Sequence, residues 1–316
     1  TARERLGVDF AHLATATDVG LAMQDPITVD WQTSLAAYED FEGVYPRLLE
    51  RQMRLFEADP PDLVLADVPW LPLDAARRLG IPAVALCSLN WLDILRGSPL
   101  GDRLSTALRG RLESVYGAAD LFLRATPGMP MDWLPNGRDV GPIARRGCRR
   151  PEEIRRALGL ADSVRLILVQ FGGIPGLDPL DGLPSREDLH WLVPGRGPTG
   201  RADATACAGL DMEFLDLLTS SDLVITKPGY GTYAETACNG VPVAYVPRGD
   251  WAEEPYLNAW LRDVIGACEI SLAGLRSGRL PSMLDDLLAG PRPEPVEPSG
   301  IADCMTALSP WWENVP

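Results

Sequence analysis

Apolar residues along this chain fall into short continuous runs that alternate with segments of helical spacing. One apolar run covers 62–66, a helical segment over 73–80 ends in glycine, and a second apolar run covers 81–86. Continuous apolar strands between helices are typical of a parallel sheet that helices cover on both faces. The pattern therefore predicts a βαβ unit and an α/β fold.

The remaining elements of the first half are less regular. Apolar positions at near-helical spacing predict a long helix over about 31–57, which ends before two prolines. We also predict a helix-like fragment over 1–5 and strands over 9–13 and 120–124. A parallel α/β domain normally opens on a strand and its glycine turn, so we expect the natural N-terminus to precede Thr1.

A Pro/Gly-rich stretch over 126–142 divides the chain into two halves. The second half repeats the alternation, with helices predicted over 151–159, 211–218, 232–238 and 301–308, and strands over 164–171, 189–193, 222–225 and up to Pro247. We therefore predict two Rossmann-like domains, residues 1–144 and 145–316, whose parallel sheets face each other across a cleft. The terminal helix, within 299–316, is expected to cross back onto the first domain.

Composition narrows the possible functions. The 316 residues, 46% hydrophobic and 23% charged, suit two globular domains, and no apolar run approaches the roughly 18 residues of a membrane span. A net charge of -15 disfavours nucleic acid and anionic membranes, so we expect small-molecule partners. Six cysteines without a Cys-x-x-Cys spacing indicate reduced thiols and a cytoplasmic location. Only His12 and His190 are histidines, so we predict no metal site.

The single lysine of the chain, Lys227, lies in a glycine loop. Residues 225–232 read Ile-Thr-Lys-Pro-Gly-Tyr-Gly-Thr, between a predicted strand and a predicted helix. Backbone N–H groups at such a helix start face the crevice, and the lysine adds positive charge. The loop is therefore a candidate anion site. The alternative is an ordinary structural turn, because glycine turns between strand and helix are common in α/β proteins.

Residues of this loop suit a nucleotide diphosphate sugar. Gly229 and Gly231 allow the backbone to approach phosphate, and Thr232 is placed to cap the helix or to donate to phosphate. Glu235, one turn further, is placed to accept hydrogen bonds from ribose hydroxyls. It also fits an ordinary carboxylate near the start of a helix.

Two further groups of residues belong to the predicted site. Gly172 and Gly173 follow a predicted strand, and ligands of open α/β sheets bind at such carboxyl ends. Asp250, Glu253 and Glu254 can accept hydrogen bonds from sugar hydroxyls, although an acidic loop can equally be solvated.

A longer pattern runs from Asp211 to Leu261. It reads Asp-Met, Ser-Asp-Leu-Val-Ile, Gly-x-Gly-Thr-x-x-Glu, Gly-Val-Pro, Glu-Glu and Asn, in that order. The pattern resembles the donor half of GT-B glycosyltransferases of the MurG type, and it is similar to the glycosyltransferase-like N-terminal region of plant L-arabinokinase. The first half is similar more weakly, through 62–67 and the pair Asn90-Trp91.

The resemblance implies that the C-terminal domain binds a nucleotide diphosphate sugar as co-substrate, with no further cofactor. It implies that Glu235 holds the ribose, that the loop of Gly229, Tyr230, Gly231 and Thr232 faces the diphosphate, and that Glu253, Glu254 and Asn258 face the donor sugar. The chain departs from the family in two ways. The glycine-rich loop that commonly contains histidine after the first strand is missing, and the usual Asp-Gln pair at the donor sugar is Glu253-Glu254.

The function that this resemblance implies is a metal-independent, inverting transfer of a hexose-type sugar, from a UDP-sugar, to a hydroxyl acceptor by direct displacement. A base from the first domain would remove the acceptor proton. Asp67 is the first candidate because it ends a parallel strand, and His12 is the second because histidine titrates nearest neutrality. Asp67 also fits a helix cap, and His12 fits a core histidine.

Two other functions fit the same residues. A sugar-nucleotide 2-epimerase shares two facing α/β domains but needs further acid and base groups in the cleft. A non-catalytic sugar-nucleotide-binding protein would need the donor site without a base.

Overall fold

The computed structural model describes residues 7–195, 197, 199–278 and 281–312. The helix-like fragment predicted over 1–5 lies outside these residues. Residues 7–22 form neither helix nor strand, so the strand predicted over 9–13 is wrong. Val8 and Leu13 are 61% and 64% exposed, so this segment does not build the buried face that specifies a strand.

A short hairpin and a long helix come next. Strands β1 (Met23–Asp25) and β2 (Thr28–Val29) pair antiparallel, and helix α1 spans Trp31–Ala58. The Asp30 carboxylate caps α1 by accepting a hydrogen bond from the backbone N–H of Thr33. Its buried apolar residues recur three or four positions apart, at Leu35, Tyr38, Phe41, Tyr45 and Leu49. This spacing gives one apolar face, and the predicted helix is confirmed.

Parallel strands form the first sheet. They are β3 (Val64–Ala66), β4 (Ala83–Cys87), β5 (Leu121–Ala125) and β6 (Gly137–Val140), adjacent in that order. Helices α2 (Trp70–Leu79), α3 (Trp91–Arg96) and α4 (Thr106–Gly117) and the 3₁₀ turn Gly101–Arg103 connect them. Helices α1 and α2 pack together, and the buried ring of Trp70 stacks on Tyr38 with ring centroids 6.1 Å apart. Strand β6 lies in the stretch predicted to be a linker.

The second sheet is also parallel. Its strands are β7 (Arg165–Gln170), β8 (Leu189–Val193), β9 (Ala204–Ala206), β10 (Leu223–Thr226), β11 (Val243–Tyr245) and β12 (Cys268–Glu269). Helices α5 (Pro151–Leu158), α6 (Phe214–Ser220), α7 (Tyr230–Cys238), α8 (Glu254–Ile265), α9 (Leu272–Leu275) and α10 (Ser282–Ala289) and the 3₁₀ turn Cys207–Gly209 accompany them. No helix in the described part of the chain has both the length and the apolar character needed to cross a membrane.

The strand order locates a ligand crevice. The second sheet runs β12-β11-β10-β7-β8-β9, so the chain leaves β7 in one direction and returns beside it at β10 before going the other way. Ligands of open parallel sheets bind at such a switch point, outside the carboxyl ends of the two strands. Gly172 and Gly173 follow β7 there, and Lys227 follows β10.

The end of the chain packs on the first sheet. Helix α11 (Gly300–Leu308), which the 3₁₀ turn Ser309–Trp311 follows, buries Cys304 and Leu308 in a cluster with Val84 and Leu123 of that sheet. At the start of α11, a methyl group added to Gly300 would lie 2.3 Å from the carbonyl oxygen of Gly141. The two segments that join the halves of the chain therefore run in close contact.

Replacing Gly300 by alanine should lower the free energy of unfolding by about 1–3 kcal/mol, because a rigid backbone oxygen occupies the space of the new methyl group. Gly110→Ala is the matched control. Gly110 lies within α4 with nothing within 4 Å of the added methyl group, so alanine there should raise stability by about 0.5–1 kcal/mol. Urea denaturation of both variants measures the difference, and equal shifts would contradict the close contact.

Candidate active site

The two loops at the switch point are tied together. The Thr226 hydroxyl, at the end of β10, donates to the backbone carbonyl of Gln170 at the end of β7, at 2.6 Å. The Lys227 side chain then lies over the glycines, because a methyl group on Gly229 would be 3.1 Å from its Nζ and one on Gly172 3.6 Å from its Cε. Gly173 and Gly231 face open space, since nothing lies within 4 Å of an added methyl group.

Helix α7 begins in this loop with open N–H groups. Gly229 is the N-cap residue, in extended conformation, and no side chain caps the helix. Thr232 is the third residue of α7, so the predicted capping role of its side chain is wrong; the helix starts two residues earlier than predicted. The first-turn N–H groups of an uncapped helix attract anions.

Lys227 has a perturbed environment. Burial and the neighbouring positive charge of Arg248 lower its pKa to about 8, while Glu253 and Glu254 act in the opposite direction. Among the described residues its ammonium group has one hydrogen bond, a long one of 3.5 Å to the carbonyl of Pro228. A cation that is shielded from water and weakly bonded is suited to an anionic ligand.

Arg248 is a functional candidate that the sequence analysis missed. Its side chain is 4% exposed, lies 4.0 Å from the ring of Trp251, and pairs with Glu254 at 3.5 Å. One guanidinium nitrogen, Nη2, is buried without a hydrogen-bond partner among the described residues. Arg248 lies three residues after the end of β11. The one signal in the sequence that could have identified it is this position after a strand, at the carboxyl edge of the sheet.

Glu254 and Asn258 take part in a continuous chain of hydrogen bonds. The Glu254 carboxylate accepts from the backbone N–H of Arg248 at 3.0 Å and from the Asn258 amide at 3.3 Å. The Asn258 side-chain carbonyl in turn accepts from the Tyr233 hydroxyl at 2.8 Å. These bonds hold Arg248 against α8. The donor-sugar roles predicted for Glu254 and Asn258 stay predictions.

Glu253 reaches the first domain. Its carboxylate is 3% exposed and accepts hydrogen bonds from the Ser88 hydroxyl at 2.6 Å and from the Trp251 indole at 3.2 Å. Burial raises its pKa. Ser88 directly follows β4, so this contact joins the carboxyl ends of the two sheets.

A cavity of about 420 Å³ lies at this junction. Asp67, Tyr230 and Glu253 line it, together with a largely apolar wall of Leu86, Cys87, Ser88, Leu89, Ala125 and Ile143. The Tyr230 hydroxyl accepts from the backbone N–H of Ile143 at 2.9 Å, so its ring spans the boundary. The cavity therefore brings Asp67, from the predicted acceptor half, to Tyr230 and Glu253 of the predicted donor half.

Asp67 directly precedes a strained position of the backbone, Val68. It follows β3 and is exposed to solvent. Val68, the next residue, has φ +70°, which is unfavourable by about 1–3 kcal/mol for a β-branched residue, and its carbonyl accepts a 2.7 Å hydrogen bond from Tyr116. Such strain is concentrated at functional sites. Pro69 is the N-cap of α2 and no side chain caps that helix, so Asp67 is not its cap.

The charge of Asp67 acts on two other titratable groups, Cys87 and Asp18. Burial, and next the charge of Asp67, raise the pKa of the Cys87 thiol to about 12. Burial also raises the pKa of Asp18, with a further contribution from Asp67, although the Trp91 indole donates to the Asp18 carboxylate at 2.9 Å. Asp18 was missed by the sequence analysis because it lies in the irregular segment 7–22.

Glu235 and His12, the other predicted site residues, do not line this cavity. Glu235 is half-buried in the second turn of α7. His12 is exposed in the irregular segment 7–22, and it does not line the cavity that holds Asp67. In the described residues no group of histidine, cysteine and acidic side chains is arranged to hold a metal ion.

No protein-family model matches the chain. Over 248 residues it is 27% identical to L-arabinokinase of Arabidopsis thaliana, a match that covers 77% of this chain and 24% of that protein. Over 243 residues it is 25% identical to an uncharacterized glycosyltransferase of Methanopyrus kandleri, which covers 67% of this chain and 63% of that protein. The chain thus spans less than two thirds of the length of either relative.

Solved structures have the same architecture. The glycotransferase of kitacinnamycin superposes with a TM-score of 0.58 at 17% identity, over 93% of this chain and 82% of that one. The corresponding values are 0.54, 16%, 86% and 80% for a proposed UDP-N-acetylglucosamine 2-epimerase of Listeria monocytogenes. They are 0.53, 16%, 81% and 73% for the calicheamicin glycosyltransferase CalG4. These likenesses establish the fold, which is GT-B, so the predicted fold class is confirmed.

The lowered pKa of Lys227 predicts that nucleoside diphosphate binding depends on pH. Between about pH 7 and 9 the phosphates stay fully ionised, because their second pKa is about 6. Lys227 loses its proton as the pH rises through its pKa of about 8, so affinity for UDP should fall by up to about tenfold per pH unit. Calorimetric titration at several pH values measures this.

Lys227→Arg is the control for that titration. Arginine stays charged throughout this range, so the variant should bind UDP with little dependence on pH. Parallel curves for the two proteins would remove Lys227 from the anion site.

Proposed function

We propose that this protein is a glycosyltransferase that moves a hexose-type sugar from UDP to a hydroxyl acceptor by direct displacement with inversion. The observation that carries the proposal is the cavity that Asp67 shares with Tyr230 and Glu253, beside the anion loop of Lys227. A base and a diphosphate site on opposite sides of one cleft are what this reaction requires. The relatives and the GT-B fold support the same function.

The donor side holds and stabilises the diphosphate. Lys227, Arg248 and the open N–H groups at the start of α7 provide positive charge where the leaving group develops negative charge. Glu235 accepts hydrogen bonds from the ribose hydroxyls, as in the MurG type. In this assignment residues 145–316 form the donor domain and residues 1–144 form the acceptor domain. No metal ion or further cofactor takes part in the proposed mechanism.

The acceptor side supplies the base. The acceptor oxygen forms a bond to the anomeric carbon while the bond from that carbon to the diphosphate oxygen breaks. The acceptor proton passes to the Asp67 carboxylate, which is exposed at the end of β3, and the electron pair leaves with the diphosphate. His12, the second candidate, is exposed outside the cavity, so we assign the base to Asp67.

Six free cysteines support a reducing compartment, and we propose the cytoplasm. The net charge of -15 supports small-molecule partners rather than nucleic acid.

The proposal is tested by incubating the protein with UDP-glucose, UDP-galactose and UDP-N-acetylglucosamine, each with a panel of hydroxyl acceptors, and analysing products by mass spectrometry. The proposed function predicts a glycosylated acceptor and stoichiometric UDP. A sugar nucleotide with changed configuration at carbon 2 would instead identify an epimerase. Binding without any turnover would identify a non-catalytic binding protein.

Asp67→Asn should lower the transfer rate by about 10²- to 10⁴-fold, because the amide cannot take the acceptor proton. Affinity for UDP should stay within about twofold, since Asp67 lies on the other side of the cavity from the anion loop. Steady-state kinetics and calorimetry on the same preparation give the two values. Unchanged transfer would exclude Asp67 as the base, and His12→Gln then tests the second candidate.

Glu235→Gln should weaken UDP binding by about tenfold, because an amide accepts hydrogen bonds from the ribose hydroxyls less strongly than a carboxylate. The 2′,3′-dideoxy analogue already lacks both hydroxyls, so its affinity should change little. Calorimetry with both ligands compares the losses. Equal losses for the two nucleotides would make Glu235 a structural residue.

A further inference from the structure

The hydrogen bond from Ser88 to Glu253 is a buried polar contact between the carboxyl ends of the two sheets. Ser88 is 5% exposed and Glu253 is 3% exposed. At 2.6 Å the hydroxyl donates to one carboxylate oxygen, while the Trp251 indole donates to the other at 3.2 Å. Each oxygen thus receives one donor, and the two donors come from different halves of the molecule.

The backbone of Ser88 is held in place for this contact. Its carbonyl accepts a 2.8 Å hydrogen bond from the backbone N–H of Met129. Gly128 packs so closely that an added methyl group would lie 2.6 Å from the same carbonyl oxygen. Ser88 also directly follows β4, whose register with β3 and β5 is fixed by ladder hydrogen bonds. Its hydroxyl therefore has a defined position relative to the first sheet.

Glu253 retains capacity for a ligand. A carboxylate has about four acceptor positions, and Ser88 and Trp251 occupy two of them. The residue lines the cavity that also contains Asp67 and Tyr230, and it acts on the charge of Lys227. A sugar attached to a diphosphate at the Lys227 loop would therefore have its hydroxyls within the region that Glu253 borders.

We propose that Ser88 is a positioning residue for donor recognition: it orients the Glu253 carboxylate toward the donor sugar, so that a residue of the acceptor domain completes the sugar site. This inference rests on the proposed function. Its consequence is that sugar binding, unlike diphosphate binding, requires the two domains to be in contact. A donor that is bound before closure is then held by its nucleotide alone.

The test compares a nucleoside diphosphate with its sugar derivative. UDP with UDP-glucose, dTDP with dTDP-glucose and GDP with GDP-mannose are titrated into the wild-type protein by calorimetry, and the tightest pair is used. Ser88→Ala should weaken binding of the sugar nucleotide by about tenfold, the effect of one hydrogen bond to a charged group, and leave the diphosphate within about twofold. Ser88→Cys, with a weaker donor of similar size, should give an intermediate loss.

Two further variants separate positioning from general loosening of the domains. Asp303→Ala removes another hydrogen bond between the halves, from the backbone N–H of Gly141 to the Asp303 carboxylate, and should not change the ratio of the two affinities. In a Glu253→Ala background, adding Ser88→Ala should cause no further loss, because Ser88 acts through Glu253.

The outcomes distinguish this inference from the proposed function. If no pair binds the wild-type protein, the proposed function is wrong, and the inference with it. If the diphosphate binds but the sugar adds no affinity, or if Ser88→Ala weakens both ligands equally, the inference is overturned and the nucleotide site stands. An Asp303→Ala loss equal to that of Ser88→Ala would also overturn it.

Discussion

Buried charge at the carboxyl edge of the second sheet is the feature on which the cleft depends. Burial lowers the pKa of Lys227 and raises that of Glu253, so burial disfavours the charged form of both groups, while the opposite charges nearby act against this effect. The Glu254 carboxylate is bonded to Arg248, both to its backbone N–H and to its guanidinium group. Lys227 has no carboxylate bonded to it among the described residues, and an anionic ligand would balance its positive charge.

The position of that cluster follows from the sheet topology. Parallel strands place all their carboxyl ends at one edge, and the reversal between β7 and β10 opens a crevice there. The first sheet presents its own carboxyl ends to the same space, which brings Asp67 and Ser88 to Glu253. Helix α11 fastens the end of the chain to the first sheet, so the two halves are connected at two places.

The sequence predicted the parts of this arrangement that local patterns specify. The α/β alternation, the strand 189–193 and the loop at Lys227 follow from short-range spacing, and the structure has all three. Helix α8 was missed because its first turn contains a proline and acidic residues that also suit a solvated loop. Strand β6 was missed because it is a short, polar edge strand within a Pro/Gly-rich stretch.

The contacts that complete the site could not be predicted from local patterns. The bond between Ser88 and Glu253 joins residues 165 positions apart, and the pairing of Trp91 with Asp18 joins residues 73 apart. Arg248 has an ordinary sequence context, and only the folded chain shows that its guanidinium group is buried beside Lys227. Val68, similarly, gives no sign in the sequence of its left-handed backbone conformation.

The central claim is that a nucleotide diphosphate sugar binds at the switch point of the second sheet and faces Asp67. A crystal structure of the protein with UDP bound tests it most directly. The account predicts that the diphosphate contacts the Lys227 ammonium group and the first N–H groups of α7, with the terminal phosphate toward the cavity that Asp67 lines. A diphosphate bound away from the Lys227 loop, or pointing away from Asp67, would contradict it.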